Sequence, residues 1–280
     1  MVRRRRKLEV KKKTYLSYRI EALASNGLYI MAATNNSGAV VLDRDLNKVA
    51  VIEEDKCFTA AHASLSFLAA VSCDGTVVVY NTGTKEYTTF LSDYHLPNLV
   101  LITKDDVIVC ADRCTRYTHD GQKLNDIPTG WVSGQGTYFE DIMYLPSPQQ
   151  QKLIVADKDM VLAKIPMHED VYALSRGSTL LAAGTLEHVI LFTLERPLRP
   201  VEILRKYTGS PVDSVAVRKD GQMIAYVISD KGIVSVADAE LREVASYSLF
   251  DDTTSVAWVG NDIAVGDWGG YIHILTFTDS

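Results

Sequence analysis

No apolar run in this 280-residue chain approaches the ~18 residues that a membrane-spanning helix needs. A helical membrane protein is therefore not expected, and no transmembrane segment is assigned. Cysteine is equally sparse. Cys57, Cys73, Cys110 and Cys114 are the complete set, too few to staple a chain of this length into a disulfide scaffold. No C-x-x-C pair occurs and the six histidines are scattered, which argues against zinc. The start, Met1-Val-Arg-Arg-Arg-Arg-Lys7, is charged but has no apolar stretch behind it, so a secretory signal is not expected and a cytoplasmic location is. Catalytic signatures are missing too. There is no G-x-S-x-G, no G-x-x-x-x-G-K-[ST], no H-E-x-x-H and no EF-hand loop. The expectation is a protein without catalytic residues, metal or cofactor.

What the chain has is short β-branched and aromatic runs cut by Gly and Asp. Residues 210–249 show the pattern most cleanly. Ser214-Val-Ala-Val217 precedes Asp220-Gly221, Met223-Ile-Ala-Tyr-Val-Ile228 precedes Asp230-Lys-Gly232, and Ile233-Val-Ser-Val236 precedes Ala237-Asp-Ala-Glu240; Arg242 to Leu249 closes the set. Gly and Asp supply the positive φ angles and local hydrogen bonds of tight hairpins. Four short strands cannot bury both faces of their own sheet, so the unit needs neighbours of its kind.

Those neighbours are present. Third strands are expected to begin at Ala39, Thr76, Thr115, Lys152, His188, Ile233 and Gly270, with steps of 37, 39, 37, 36, 45 and 37 residues. In the fourth copy, a start at Met160 would leave too few residues before the next unit; Lys152 restores the spacing and makes Met160 to Ile165 the fourth strand. The long step accommodates Glu195-Arg-Pro-Leu-Arg-Pro200, a segment no strand interior tolerates. Seven all-β copies near 40 residues is the period of a propeller blade. The last copy runs out after its third strand. Residues 7–15, a segment rich in lysine, supply the missing outer strand and close the ring, with the lysines guarding the sheet edge. The expected organisation is a basic tail over 1–6 and one seven-bladed β-propeller of four-stranded antiparallel blades over 7–280.

Units of this length, strand number and turn chemistry, with an N-terminal closing strand, resemble the WD-repeat propellers. The resemblance is of pattern across residues 7–280 and not of signature. The Trp-Asp pair is replaced by Leu42-Asp43, Tyr80-Asn81 and Ala237-Asp238, and the Gly-His pair at unit boundaries is absent. The resemblance implies a non-enzymatic scaffold that binds another protein or peptide.

Strand alternation puts the turns between strands two and three at the same end as the starts of strand one. That face is expected to collect Asp74, Arg113, Lys231 and Trp268 from the turns, and Tyr94, His95, Trp131, Asp170 and Asp213 from the strand starts. Trp268 occupies a place where other blades carry Ser37, Asp74 or Lys231, so its turn does not demand an aromatic. It is either a binding anchor or a side chain folded onto the next blade. Asp170 and Asp213 are the acids expected at the channel mouth, the place for a metal or substrate if the propeller were an enzyme.

Other features carry less. Gly130-Trp-Val-Ser-Gly-Gln-Gly136 reads as a turn opening a strand, without a phosphate-reading lysine. Leu174-Ser-Arg-Gly177, between first and second strands, resembles a paired-arginine phosphoinositide motif but has one arginine. Glu140 and Asp141 are placed inside a second strand, facing opposite ways. Cys110 and Cys114 flank a hairpin turn and lie close enough to bridge; in a reducing cytoplasm the favoured reading is two small hydrophobes. Charge is uneven: residues 1–13 hold eight Lys/Arg and one Glu, while the rest holds 21 basic and 34 acidic side chains, a net of −13. The arm, with Arg3, Arg4, Arg5 and Arg6, is either a solvated terminus or a contact for nucleic acid or an anionic membrane. The acidic body argues against a broad nucleic-acid surface.

Overall fold

The computed structural model describes residues 6–279. Strand β1 (Arg6–Tyr15) precedes the first blade, which is β2 (Ile20–Ser25), β3 (Tyr29–Thr34), β4 (Ala39–Asp43) and β5 (Lys48–Ile52). Blade two is β6 (Phe58–Ala63), β7 (Phe67–Ser72), β8 (Thr76–Asn81) and β9 (Tyr87–Leu91). Blade three is β10 (Leu99–Ile102), β11 (Asp106–Cys110), β12 (Cys114–Thr118) and β13 (Lys123–Ile127). Blade four is β14 (Thr137–Phe139), β15 (Ile142–Ser147), β16 (Lys152–Ala156) and β17 (Val161–Pro166). Blade five has three strands before its proline-rich connection, β18 (Val171–Arg176), β19 (Leu180–Thr185) and β20 (His188–Thr193), and one after it, β21 (Val201–Tyr207). Blade six is β22 (Ser214–Val217), β23 (Met223–Ile228), β24 (Ile233–Asp238) and β25 (Glu243–Ser248), and blade seven is β26 (Thr253–Val259), β27 (Asp262–Asp267), β28 (Tyr271–Asp279) and β1. The protein is a seven-bladed β-propeller, closed as the sequence pattern implies. No helix among the described residues is long and apolar enough to cross a membrane.

The second and third strands of each blade are buried on both faces, which explains why they read as apolar runs and not as alternating patterns, whereas outer strands such as β9 and β21 are largely exposed. In blade one, Ile30, Ala32, Val40 and Leu42 pack toward blade seven, while Met31, Ala33, Ala39 and Val41 pack toward blade two. The same division gives one apolar cluster at each of the seven blade junctions. The closing strand pairs antiparallel with β28, from Arg6 opposite Asp279 to Tyr15 opposite Tyr271. Its Leu8 is 4% exposed and joins the cluster between blades six and seven.

Where the Trp-Asp signature is missing, its acid or amide survives with a local task. Asp43 accepts from the amides of Asp45 and Asn47, Asn81 from those of Gly83 and Thr84, and Asp238 from those of Glu240 and Arg242. Each caps the amides of the turn into the fourth strand, the bond that Asp and Asn favour over other residues.

The inner strands present unpaired edges to the central channel, and neighbouring blades cover them. The amide of Leu23 donates to Ser255 Oγ at 2.7 Å, Val256 to Ser214 Oγ at 3.1 Å, Val217 to Ser175 Oγ at 3.0 Å, and Ile102 to His62 Nδ1 at 3.1 Å. Each bond joins one blade to the next.

Several strand ends differ from the spacing-based expectation. Third strands begin at Cys114 and Tyr271, each one residue away from the expected Thr115 and Gly270. Glu140 and Asp141 are not inside a strand: they form the turn between β14 and β15, with Glu140 at φ 53°. Leu174 to Arg176 lie within β18.

Candidate protein-interaction face

Antiparallel order in every blade places the second-to-third turns and the links to the next blade at one end of the ring. Trp268 sits there, 53% exposed, with the Arg19 guanidinium 3.8 Å from its ring centroid. The indole is thus held by a cation and still faces solvent. Arg19 is itself tied to Glu21, 3.2 Å from its Nε. Glu21 is the unpaired residue of a β-bulge between Ile20 and Ala22, and burial pushes its carboxyl above the usual carboxylate range against the pull of Arg19.

The other expected residues divide into free and engaged groups. His95 is exposed beside Leu96, which is 62% exposed at φ 56°. Lys231 is exposed and its Nζ donates to the Thr208 carbonyl at 3.3 Å. Arg113 is half-exposed, its Nη1 3.5 Å from Asp112 and its guanidinium 5.5 Å from the Tyr94 ring. Tyr94, read as a surface aromatic, is 6% exposed. It packs in the cluster between blades two and three, its hydroxyl 2.6 Å from Thr115 Oγ1. Trp131 is partly buried, and its carbonyl accepts from Ser147 Oγ. Asp74 is held by its own turn. It accepts from Ser72 Oγ and the Thr76 amide and lies 3.2 Å from Lys56 Nζ. These bonds, working against desolvation, keep its carboxyl well below the usual range.

Asp170 and Asp213, the acids expected at the channel mouth, are the two carboxylates whose charges act on Tyr172. Burial first, then these two charges, raise its phenol. Glu169, the residue before Asp170, is committed to structure: it accepts from Thr185 Oγ1 at 2.6 Å and lies 2.7 Å from His188 Nδ1 and 3.1 Å from Arg205 Nη1. Among the described residues, no three His, Cys, Asp or Glu side chains are grouped so that they could hold a metal ion.

The glycine-rich segment is more than a turn. Gln135 forms a parallel bridge with Ala173 of β18: its amide donates to the Tyr172 carbonyl and its carbonyl accepts from Leu174. Its side chain continues to blade six, where Nε2 donates to the Val215 carbonyl at 2.8 Å. Gly134 makes this path possible. Its φ is 100°, and a Cβ there would stand 2.1 Å from the Tyr172 carbonyl oxygen. The lone arginine of Leu174 to Gly177 is also structural, since Arg176 Nε donates to the Tyr138 carbonyl at 2.6 Å and its guanidinium covers the Phe139 ring at 4.2 Å.

All four cysteines are paired, Cys110 with Cys114 (Cα–Cα 4.1 Å) and Cys57 with Cys73 (Cα–Cα 5.7 Å). This corrects the reading of Cys110 and Cys114 as two small hydrophobes: the turn brings them opposite each other at the end of β11 and the start of β12. Cys57 and Cys73 meet for a similar reason, at the top of β6 and β7, where the Cys73 amide donates to the Cys57 carbonyl. Sequence separation hid that pair. Arg3, Arg4 and Arg5 lie outside the described residues; Arg6 opens β1, its guanidinium 5.8 Å from the Phe277 ring.

Two aromatic residues on this face escaped the sequence reading. Phe250, in the link between blades six and seven, is fully exposed, and Tyr18 is 48% exposed. The available signal was position: both stand in links between blades, where packing demands no aromatic. No family model matches the chain, and no curated protein matches it in sequence. Its architecture therefore rests on its own strands and turns, and they make it a seven-bladed β-propeller.

Proposed function

We propose that the protein is a non-enzymatic scaffold that binds another protein or peptide on the face bearing Trp268. The observation that carries this reading is the half-exposed indole of Trp268, held by Arg19 at 3.8 Å. A large apolar ring presented rigidly to solvent loses little entropy when a partner covers it. His95, Arg113 and Lys231 on the same rim supply polar contacts around it. Asp74 and Tyr94 support their turns, and Trp131 stands in the segment whose Gln135 reaches blades five and six.

The test is capture of partners from native extract by wild-type protein and by Trp268→Ala, with melting curves for both. Specific partners lost from the variant, with its melting unchanged, support the reading. Partners retained at wild-type level exclude Trp268 from the site.

Two other readings keep specific observations. An enzyme at the channel mouth would use Asp170 and Asp213 beside Tyr172. A nucleic-acid or anionic-membrane contact would use Arg3 to Arg6, and changing these four to Ser would abolish retention on a heparin column. A cytoplasmic location requires the four cysteines to be reduced in the native protein, because a reducing compartment opens such pairs.

A further inference from the structure

The link between blades six and seven departs from the rest of the rim. Leu249 and Phe250 stand at the end of a groove of about 410 Å³ between two outer strands, lined by Tyr247 and Ser248 on one side and by Val10, Lys13 and His273 on the other. The groove is large enough for one or two side chains of a ligand. Phe250 at its lip is fully exposed, so nothing in the fold covers the ring.

Acids crowd around this lip. Asp251 and Asp252 follow Phe250 and are exposed, as is Asp230 in the neighbouring turn. The three regions touch. A Cβ on Gly232 would lie 2.8 Å from the Asp251 carbonyl, a Cβ on Gly269 would lie 2.6 Å from the Asp251 carboxylate, and the Trp268 amide donates to the Asp252 carbonyl at 3.0 Å. Phe250, Trp268, Asp230, Asp251 and Asp252 therefore form one continuous patch. None of the three acids has an ion-pair partner among the described residues, and Lys231, the nearby exposed cation, bonds a carbonyl instead. Inside the groove the sign changes at Lys13, which forms part of the wall, while His273 beside it is engaged with the buried Asp267 carboxylate, 2.9 Å from its Nε2.

Resting on the reading that this face binds a partner, we infer that the partner enters here as a linear peptide segment, with an apolar side chain in the groove and Lys or Arg residues flanking it. The apolar anchor stacks on Phe250 and Leu249. The flanking cations meet Asp251, Asp252 and Asp230 at the rim, and Lys13 keeps a cation from going deeper. Charge complementarity fixes the sign of the peptide, and the exposed aromatics fix the need for an apolar anchor.

Fluorescence polarisation with labelled dodecapeptides of three kinds tests this. One carries a central Leu-Phe pair flanked by Lys and Arg, the second has Asp in place of the cations, and the third has Ser in place of the apolar pair. The first should bind at least tenfold tighter than either control. Phe250→Ser should weaken it about thirtyfold, the size of a hot-spot loss, and Asp251→Asn with Asp252→Asn should weaken it and flatten its salt dependence. Melting curves should show both variants folded, since the altered side chains are exposed. Equal binding of all three peptides, or binding indifferent to both variants, overturns the inference. Self-association lost on Phe250→Ser would overturn it in favour of a second copy as the occupant. If a captured partner depends on Trp268 or Arg113 but not on Phe250, the groove inference falls while the proposed face stands. If it depends on none of them, both fall.

Discussion

Gln135 and Ser214 meet beside the first strand of blade five: the Ser214 hydroxyl donates to Gln135 Oε1 at 2.9 Å, 79 residues along the chain. Ser214 Oγ in turn accepts from the Val256 amide of blade seven. Side chains from blades four and six thus join, and the chain of bonds runs on to the next blade.

Gln135→Ala removes this link and the bond to the Val215 carbonyl. At about 1 kcal/mol for each neutral hydrogen bond, and more where a polar group is left unpaired, the variant should lose about 2–3 kcal/mol. Gln122→Ala, at an exposed turn, should stay within about 0.5 kcal/mol of wild type. Urea unfolding of both variants provides the comparison, and equal midpoints would remove Gln135 from the bonds that brace the ring.

The closing strand should behave as part of blade seven. Deleting residues 1–15 removes β1 and exposes the length of β28, so the melting temperature should fall substantially; deleting 1–6 should barely change it. Leu8→Ala should cost about 2–4 kcal/mol, the loss typical of a buried leucine. Equal stability of the two truncations would contradict closure by β1.

Reduction should destabilise the folded chain, mainly through one of the two cysteine pairs. Cys57 and Cys73 are 16 residues apart and Cys110 and Cys114 only four. A loop of the first size restrains the unfolded chain by about 3 kcal/mol, and a shorter loop by less. Cys57→Ser with Cys73→Ser should reproduce most of the effect of reductant on the denaturation midpoint. Alkylation and mass measurement on protein isolated under trapping conditions should find no free thiol; four free thiols would place the native protein in a reducing compartment.

Stability should fall with acid before the carboxylates titrate. Burial, with a smaller contribution from the Arg176 charge, lowers His62 to about 4, while its Nδ1 accepts from the Ile102 amide. Between pH 6.5 and 4 the unfolded chain therefore binds a proton that the folded chain refuses. The stability linked to His62 is complete above about pH 6.5 and declines as pH falls toward 4, by on the order of 2–3 kcal/mol. Glu21, whose carboxyl is raised, works in the opposite direction. Comparing wild type with His62→Asn isolates the histidine: the variant should show a flatter profile in this window, and an unchanged slope would assign the pH dependence elsewhere.

Trp268→Ala should separate binding from folding. Losing the contact with Arg19 costs roughly 0.5–1 kcal/mol, whereas a central anchor typically contributes about 2 kcal/mol or more to association. A titration with a captured partner and a melting curve on the same preparation measure both. A variant that melts far below wild type and still binds normally would make Trp268 a packing residue.

Strand order, blade number and ring closure were legible in the residues because they depend on local chemistry. Turns need Gly, Asp or Asn at fixed places, and strands buried on two faces need unbroken apolar runs such as Met223 to Ile228, so the repeat survives without its signature residues. What the tertiary structure decided depends on distance across the ring. Tyr94 looked like a surface aromatic from its place in a link and proved buried, because burial is set by blade three, whose Thr115 bonds its hydroxyl. The path of Gln135 to blade six and the meeting of Cys57 with Cys73 were equally invisible, since no local spacing encodes which side chains a closed ring brings together. Phe250 is the converse case. Its exposure follows from the absence of any neighbour over the link between blades six and seven, and only the assembled ring could show that nothing covers it.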